Sequence, residues 1–424
     1  MSYRVPLARN PVSRRRRRPP PYASGVPAPP AEPAPLPPTV RALGWASLLN
    51  DASSEFLYPF LPAFLTGVLG AGKPVLGLVE GAAEAAATAA KFASGPLAER
   101  LGRRRPLVAA GYGLAAISRP LLALAPGWGL ALSLRALDRV GKGLRGPPRD
   151  ALLAAATPAA DRGRAFGFRA AMDHTGALAG ALLAAGVAAL LGAGADLRTL
   201  LLWGSIPALL SAVVVLAFVK EPPRPAAPAP SAARTAGPLP PAFRRYLLAA
   251  AVFSLGNSSD AFLLLRASDL GVPLAALPLL WAAHHAVKPA LAYAVGRRSD
   301  RTGRRGFVAL GWSAYALVYA GFALADGPVA ATVLFVLYGA YHGLAEGVEK
   351  ALVADLVPEA ARDRAFSWFA GLSGLAALPA SLGVGFLWAL DGPGLAFGAG
   401  AALAVVATVL LLVLVPDPAR ALVG

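Results

Sequence analysis

Cysteine is absent from this 424-residue chain. No disulfide framework and no thiolate metal site can form. Methionine occurs only at Met1 and Met172, too sparse for a thioether pathway for a soft ion such as Cu(I). Acidic residues are scarce too: 23 stand against 40 Lys and Arg, a formal net charge of +17. In a soluble protein that excess would point to nucleic acid. Here the basic residues gather in alternate loops between apolar stretches, which the positive-inside rule explains better, so no nucleic-acid partner is expected. The four histidines, His174, His284, His285 and His342, all fall within apolar stretches and show no His-x3-His spacing.

What is plentiful is apolar. The chain is 56% hydrophobic with a mean hydropathy of +0.56, too apolar for an ordinary soluble protein. Its 45 glycines lie largely inside apolar runs, as in membrane helices. Twelve stretches of near-bilayer length occupy 39–65, 74–98, 106–125, 128–144, 163–191, 200–219, 245–265, 272–295, 307–325, 329–348, 365–390 and 395–415. Residues 1–38 carry the run from Arg14 to Arg18 and a Pro/Ala tract with no apolar stretch directly behind the arginines. They read as a disordered cytoplasmic tail and not as a signal peptide. Residues 221–242 form a Pro/Ala tether between two six-span blocks, 39–220 and 243–416, and 417–424 is a short tail. The loops near 100–105, 145–164, 220–245, 297–305 and 362–364 are rich in Arg, and the others nearly lack it, with Arg198 and Arg266 as exceptions. Both termini are therefore expected in the cytoplasm, with the chain a multi-pass protein of the plasma (inner) membrane.

Residues 95–105 read GPLAERLGRRR, and an echo, GRRSDRTGRR, begins at Gly296, 201 positions on. Arg164-Ala165-Phe166 recurs as Arg364-Ala365-Phe366 at an offset of 200, so the chain divides into two homologous halves. The pattern G-x-x-x-[DE]-R-x-G-R-[RK] between the second and third stretches resembles the signature loop of the major facilitator superfamily (MFS). The resemblance implies an all-α membrane protein with twelve transmembrane helices in two pseudo-symmetric six-helix bundles. It also implies a secondary transporter without cofactor. The gating loops it implies are Gly95, Glu99, Arg100, Gly102 and Arg103, and in the second half Gly296, Asp300, Arg301, Gly303 and Arg304. By the same resemblance, Glu99 should face the start of the eleventh span near Asp363 and Arg364, and Asp300 the start of the fifth near Gly163 and Arg164. Glu99 stands where the family usually has Asp.

An ionisable side chain at bilayer depth must face a cavity or a partner. At about 1.5 Å per residue, Asp51, Glu84, Asp173, His174 and His285 fall near the midplane, with Glu55 and Asp260 somewhat outside it. Glu55 and Asp260 each follow a serine pair, and the repeat aligns Glu84 with His285. In the fourth stretch, Arg135, Asp138, Arg139 and Lys142 recur at i, i+3, i+4 and i+7 and share one helical face. Arg135 should be compensated by Asp138 on its own helix or by Glu55 across the bundle. Gly141-Lys142-Gly143 is no phosphate loop, since Ala136 stands at the first Gly position and Gly143 replaces Ser or Thr. Residues 167–180 resemble the Gly-rich fifth-span motif of the family's antiporters, with Ala181 in place of its Pro.

The expected protein is thus a transporter that works by alternating access on a small molecule and protons, embedded in lipid as a monomer, most simply by proton-coupled efflux. Export of a metal ion or metal chelate, with His285, Glu84 and Asp51 as ligands, and lipid transport are the alternatives. A transport-dead membrane sensor is the reading from another class. No nucleophile–base constellation points to an enzyme.

Overall fold

The computed structural model describes residues 35–158, 161–192, 194–222 and 238–416. Most of the expected tail at 1–38, most of the 221–242 tether, the 417–424 tail and the side chain of Asp300 lie outside what is described.

The twelve apolar stretches are helical rods. Span 1 starts as Pro38–Leu57 and passes through a 3-10 turn at Tyr58–Phe60, a single α turn at Leu61–Ala63 and a π turn at Phe64–Val68. Pro59 and Pro62 remove N–H donors there, which breaks the i→i−4 ladder. Span 2 is Lys73–Leu101, span 3 Arg105–Ala123, span 4 Trp128–Ala155, span 5 Arg162–Leu191 and span 6 Leu197–Phe218. Span 7 comes in two pieces, Pro241–Gly256 and Ala261–Asp269. Span 8 is Leu277–Thr302, span 9 Arg304–Leu324 and span 10 Pro328–Asp355. Spans 11 and 12 are the arms of Arg362–Leu414, parted where Asp391 and Gly392 leave helical geometry, with Gly392 at φ +77°. Seven of these elements, counting the two pieces of span 7 and the two arms as one each, are long and apolar enough to cross a membrane on that criterion alone. Spans 1, 2, 4 and 8 fall outside that set. They carry Asp51, Glu55, Glu80, Glu84, Arg135, Asp138, Lys142 and Lys288.

Several sequence-based boundaries change, and spans 8 and 10 each run seven residues past their expected ends, to Thr302 and Asp355. The stretch 95–105 is not a loop through its length: span 2 continues to Leu101, and the turn waits for Gly102, the one residue of the stretch at positive φ (+63°). Leu97, Ala98, Glu99 and Arg100 are good helix formers, and glycine enters the left-handed region without the Cβ penalty. Span 4 runs eleven residues past the expected 144, so Arg145 and Arg149 belong to its helix and not to a loop. Span 7 is broken at 257–260 instead of continuous.

Between helices in lipid there is little hydrophobic driving force, so close approach through small residues carries the packing. On span 5, Gly176 and Gly180 lie against the backbone of Leu48 and Ala52 on span 1, and a Cβ at either would collide with it. Span 2 meets span 11 the same way, Gly77 against Ser381 and Gly81 against Leu378, and Gly143 of span 4 meets Ala87 of span 2. The second half is filled by aromatic rings: Phe253 stacks on Trp312 at 4.6 Å and Tyr315 on Tyr319 at 4.1 Å. Arg198 and Arg266, the exceptions to the loop charge pattern, both close helix ends. Arg198 donates to the carbonyls of Ala123 (2.6 Å) and Ala125 (2.9 Å), and Arg266 donates to those of Phe322 (3.3 Å) and Ala325 (2.7 Å). These are equivalent places on spans 3 and 9, where a cation complements the helix dipole.

Candidate functional site: charge networks between the two halves

Span 4 supplies the centre of a buried alternation of charge. Arg135 Nε donates to Glu80 Oε1 at 2.9 Å and Nη2 to Oε2 at 3.3 Å, a two-pronged grip on span 2. Its Nη1 lies 3.6 Å from Asp138. Asp138 in turn accepts from Arg119 Nε of span 3 at 3.0 Å. Arg119 also donates to the Asn50 carbonyl (2.9 Å) and Ser54 Oγ (2.8 Å) of span 1. All four charged groups are at most 8% exposed. Burial at this depth is tolerable because cation and anion alternate and each keeps hydrogen-bond partners. Asp138 is thus a partner of Arg135, but the shorter bonds go to Glu80 and none to Glu55. Depth alone placed Glu55 near Arg135, but Glu80 lies on the adjoining helix and reaches it directly.

The network crosses to the other half. Glu80 Oε2 accepts from Ser259 Oγ at 3.3 Å, and Tyr58 Oη lies 3.1 Å from the same hydroxyl. Ser259 sits in the break of span 7, whose loosened backbone also donates from its N–H to Ser381 Oγ at 3.1 Å. A void of about 10 Å³ beside Ser54, Ser118, Arg119 and Asp138 has room for about one water. The cluster ties spans 1 to 4 together and reaches span 7 of the other half.

Glu55 makes the second crossing. Trp281 Nε1 of span 8 donates to its Oε2 at 2.6 Å, and His285 Nε2 lies 3.3 Å from the same oxygen. Asp260, in the span 7 break, accepts from Tyr338 Oη of span 10 at 2.7 Å. His284 is buried between Trp281 and Tyr338, while His285 is partly open, so the adjacent histidines do point apart. His342 Nδ1 lies 4.0 Å from Glu346, which also pairs with Lys288. Glu84 and His285, equivalent by the repeat, stand in different surroundings: His285 lies 3.3 Å from Glu55, and Glu84 is exposed on span 2.

A third group lines the first half nearer its Arg-rich end. Asp173 accepts from Arg169 Nη1 at 2.8 Å, and Arg169 Nε lies 3.8 Å from Asp150. Asp51 accepts from Asn50 Nδ2 at 3.3 Å, and His174 is exposed. Arg149 donates to Ser47 Oγ at 2.9 Å, and Arg145 lies 4.8 Å over the Tyr112 ring. Among the described residues no group of three His, Cys, Asp or Glu side chains is arranged to hold a metal ion.

At the signature stretches, Gly95 and Gly296 lie on helix and Glu99, Arg100, Arg103 and Arg301 are exposed, with Gly102 and Gly303 at positive φ. Arg104 Nη1 donates to the Ala151 carbonyl at 3.4 Å and Arg304 Nη1 to that of Ala351 at 2.9 Å, the same contact 200 positions apart. Arg304 also pairs with Asp355 at 2.6 Å. The acid at the start of span 3 is Glu221, at the tether's beginning. Its carboxylate accepts from the backbone N–H of Arg104 (3.0 Å) and Arg105 (2.7 Å).

Sequence reasoning missed Glu80, Arg119, Trp281, Tyr338 and Glu221. Arg119 carried a usable signal, a lone cation within the apolar stretch 106–125. Glu80 carried one too, an acid one turn before Glu84 between Gly77 and Gly81. Trp281 and Tyr338 carried none, being ordinary aromatics in apolar runs.

The family described as the Major Facilitator Superfamily matches residues 43–348. An uncharacterised MFS-type transporter of Methanocaldococcus jannaschii is 32% identical over 383 residues, 88% of this chain and 94% of its own length. An uncharacterised protein of Mycobacterium tuberculosis is 33% identical over 362 residues, 83% of this chain and 86% of its own. Among solved structures, a nucleoside transporter superposes with a TM-score of 0.74 at 13% identity, covering 89% of this chain and 100% of that one. An inward-facing, unoccupied bacterial homologue of the human lysosomal transporter Spinster gives 0.66 at 18% identity, covering 89% and 95%. Helix count, internal repeat, duplicated signature contact and relatives agree, and the chain belongs to the Major Facilitator Superfamily of membrane transporters.

Proposed function

We propose that this transporter lies in the plasma (inner) membrane with both termini cytoplasmic and exports a small organic molecule in exchange for protons. The observation that carries the reading is the contact of Glu55 on span 1 with Trp281 and His285 on span 8. An acid of one half meets a titratable base of the other. Alternating access moves the halves apart at one end and must remake such contacts. The contact depends on the protonation of both groups, so proton occupancy and conformation are linked, and each biases the other. The charged groups around this pair are Lys142 of span 4, Asp260 of span 7, and His284 and Lys288 of span 8. Exchange is supported by Gly176 and Gly180, which resemble the antiporter motif and pack span 5 on span 1.

The test uses vesicles containing the purified protein and an internal pH dye, screened with organic cations, anions and zwitterions. At least one solute should drive proton movement opposite to its own. Glu55→Gln should remove the proton movement and keep solute exchange. Full proton coupling in Glu55→Gln would defeat the assignment.

A further inference from the structure

Spans 9 and 12 leave a hollow of about 400 Å³ in the seam between them. Ala316, Ala401 and Thr408 form its buried floor, and the exposed Leu317, Val405 and Val409 form its rim, so it opens toward lipid. The Thr408 hydroxyl donates to the Ala404 carbonyl of its own helix at 2.8 Å, which leaves the floor apolar in effect. Small residues make the space. In the first half, 200 positions back, Leu201 and Leu202 stand where this seam has Ala401 and Ala402. The seam carries a cation at its Arg-rich end. Arg305 Nη1 reaches from span 9 to the carbonyls of Leu412 (3.2 Å) and Val415 (2.7 Å) on span 12. Those carbonyls lie three and six residues beyond Val409, about 5–9 Å past the hollow along the helix. The neighbouring Arg304 turns instead to span 10, where it pairs with Asp355.

A ligand that suits this seam is apolar along most of its length and anionic at one end. We propose that the seam binds one anionic phospholipid, with an acyl chain in the hollow and its phosphate at Arg305. Methylenes in the hollow restore the packing contacts that the alanine floor lacks. A basic group between helix ends attracts an anionic headgroup. A second copy of the chain is the poorer occupant. Seated here about a two-fold axis, it would set its own Arg305 at the same depth, like charge against like. The site is separate from the exchange reading and requires only that the chain lie in a bilayer.

The test is titration of the purified, delipidated full-length protein in detergent with dioleoyl phosphatidylglycerol or dioleoyl phosphatidylcholine, which share chains and differ in net charge. Native mass spectrometry counts the lipids bound. The first phosphatidylglycerol should bind about five-fold tighter than the first phosphatidylcholine, the value of one basic residue near a headgroup. Arg305→Gln should bring the two lipids to equal affinity, and Arg305→Lys, which keeps the charge, should retain the preference. Ala401→Leu fills the floor and should weaken both lipids about ten-fold while their ratio stays. If that variant does not stay monodisperse, Ala402→Leu at the exposed edge narrows the same hollow and should weaken both lipids in the same sense. The inference is overturned if the wild type binds the two lipids alike, if Arg305→Gln keeps the preference, or if filling the hollow changes neither affinity. It is overturned as well if the protein runs as a dimer that takes up lipid only after Arg305→Gln or Ala401→Leu has parted it.

Discussion

Arg135 of span 4 holds Glu80 of span 2 by two N–H···O bonds, 2.9 and 3.3 Å long, with both groups buried. The same acid touches Ser259 of the other half, so the pair sets the position of a group at the interface between the halves.

Arg135→Gln leaves Glu80 buried without its partner. The expected loss is about 3–5 kcal/mol, read as a lower thermal unfolding midpoint in detergent. Arg135→Gln combined with Glu80→Gln should recover much of it, because the uncompensated charge is gone. An Arg135→Gln protein that melts with the wild type would show that the pair holds nothing.

Gly180 touches the backbone of Ala52, whereas Gly186 on the same helix faces open space. Gly180→Leu must push span 5 off span 1, and overpacking costs about 1–3 kcal/mol even where only side chains must yield. The monodisperse yield of Gly180→Leu should collapse while Gly186→Leu keeps the wild-type yield. Equal yields would contradict the packing described.

Glu221 closes the N-terminus of span 3 from the start of the tether. Glu221→Ala should cost about 1 kcal/mol. It should also speed hydrogen exchange at the amides of Arg104 and Arg105, which mass spectrometry reads. Unchanged exchange there would remove the cap.

Asp196 lies outside the membrane spans and caps span 6. Slight burial works against its ionisation, but the N–H groups of Arg198 and Thr199, the Thr199 hydroxyl and the Arg198 charge hold its carboxyl below the usual carboxylate range. A depressed folded-state value gives stability that is complete above the ordinary carboxylate range and is lost as pH falls through the folded value. Asp196→Ala should cost about 1 kcal/mol near neutral pH, and its midpoint should converge on the wild type in acid. A gap that widens in acid would contradict the cap.

Fold and site were legible in the sequence to different degrees. The signature at 95–105 and its echo at Gly296 are local strings, and hydropathy sees apolar length directly, so twelve rods and two halves could be read. Partner choice in the membrane could not. Arg135 had Asp138 at i+3 in plain view, but Glu80 sits 55 positions away and becomes a neighbour only because Gly143 lets span 4 approach Ala87 of span 2. Glu55 and Trp281 are 226 positions apart in different halves, and no periodicity links them. The helix ends were misjudged where hydropathy fell but helix formation did not, at Glu99 and Arg100 and again at Arg145 and Arg149.

The proposed exchange requires the arrangement of the two halves to respond to pH through the contact of Glu55 with span 8. The chain has no cysteine, so Val68→Cys and Ala275→Cys give one exposed spin-label site on each half at the Arg-poor end. Electron–electron distance measurements in lipid, taken between about pH 8 and about pH 5, need no knowledge of the cargo. The wild-type background should show a distance distribution that changes with pH, and Glu55→Gln should hold one distribution throughout. A pH-independent wild type, or a Glu55→Gln protein that responds as the wild type does, would contradict the account.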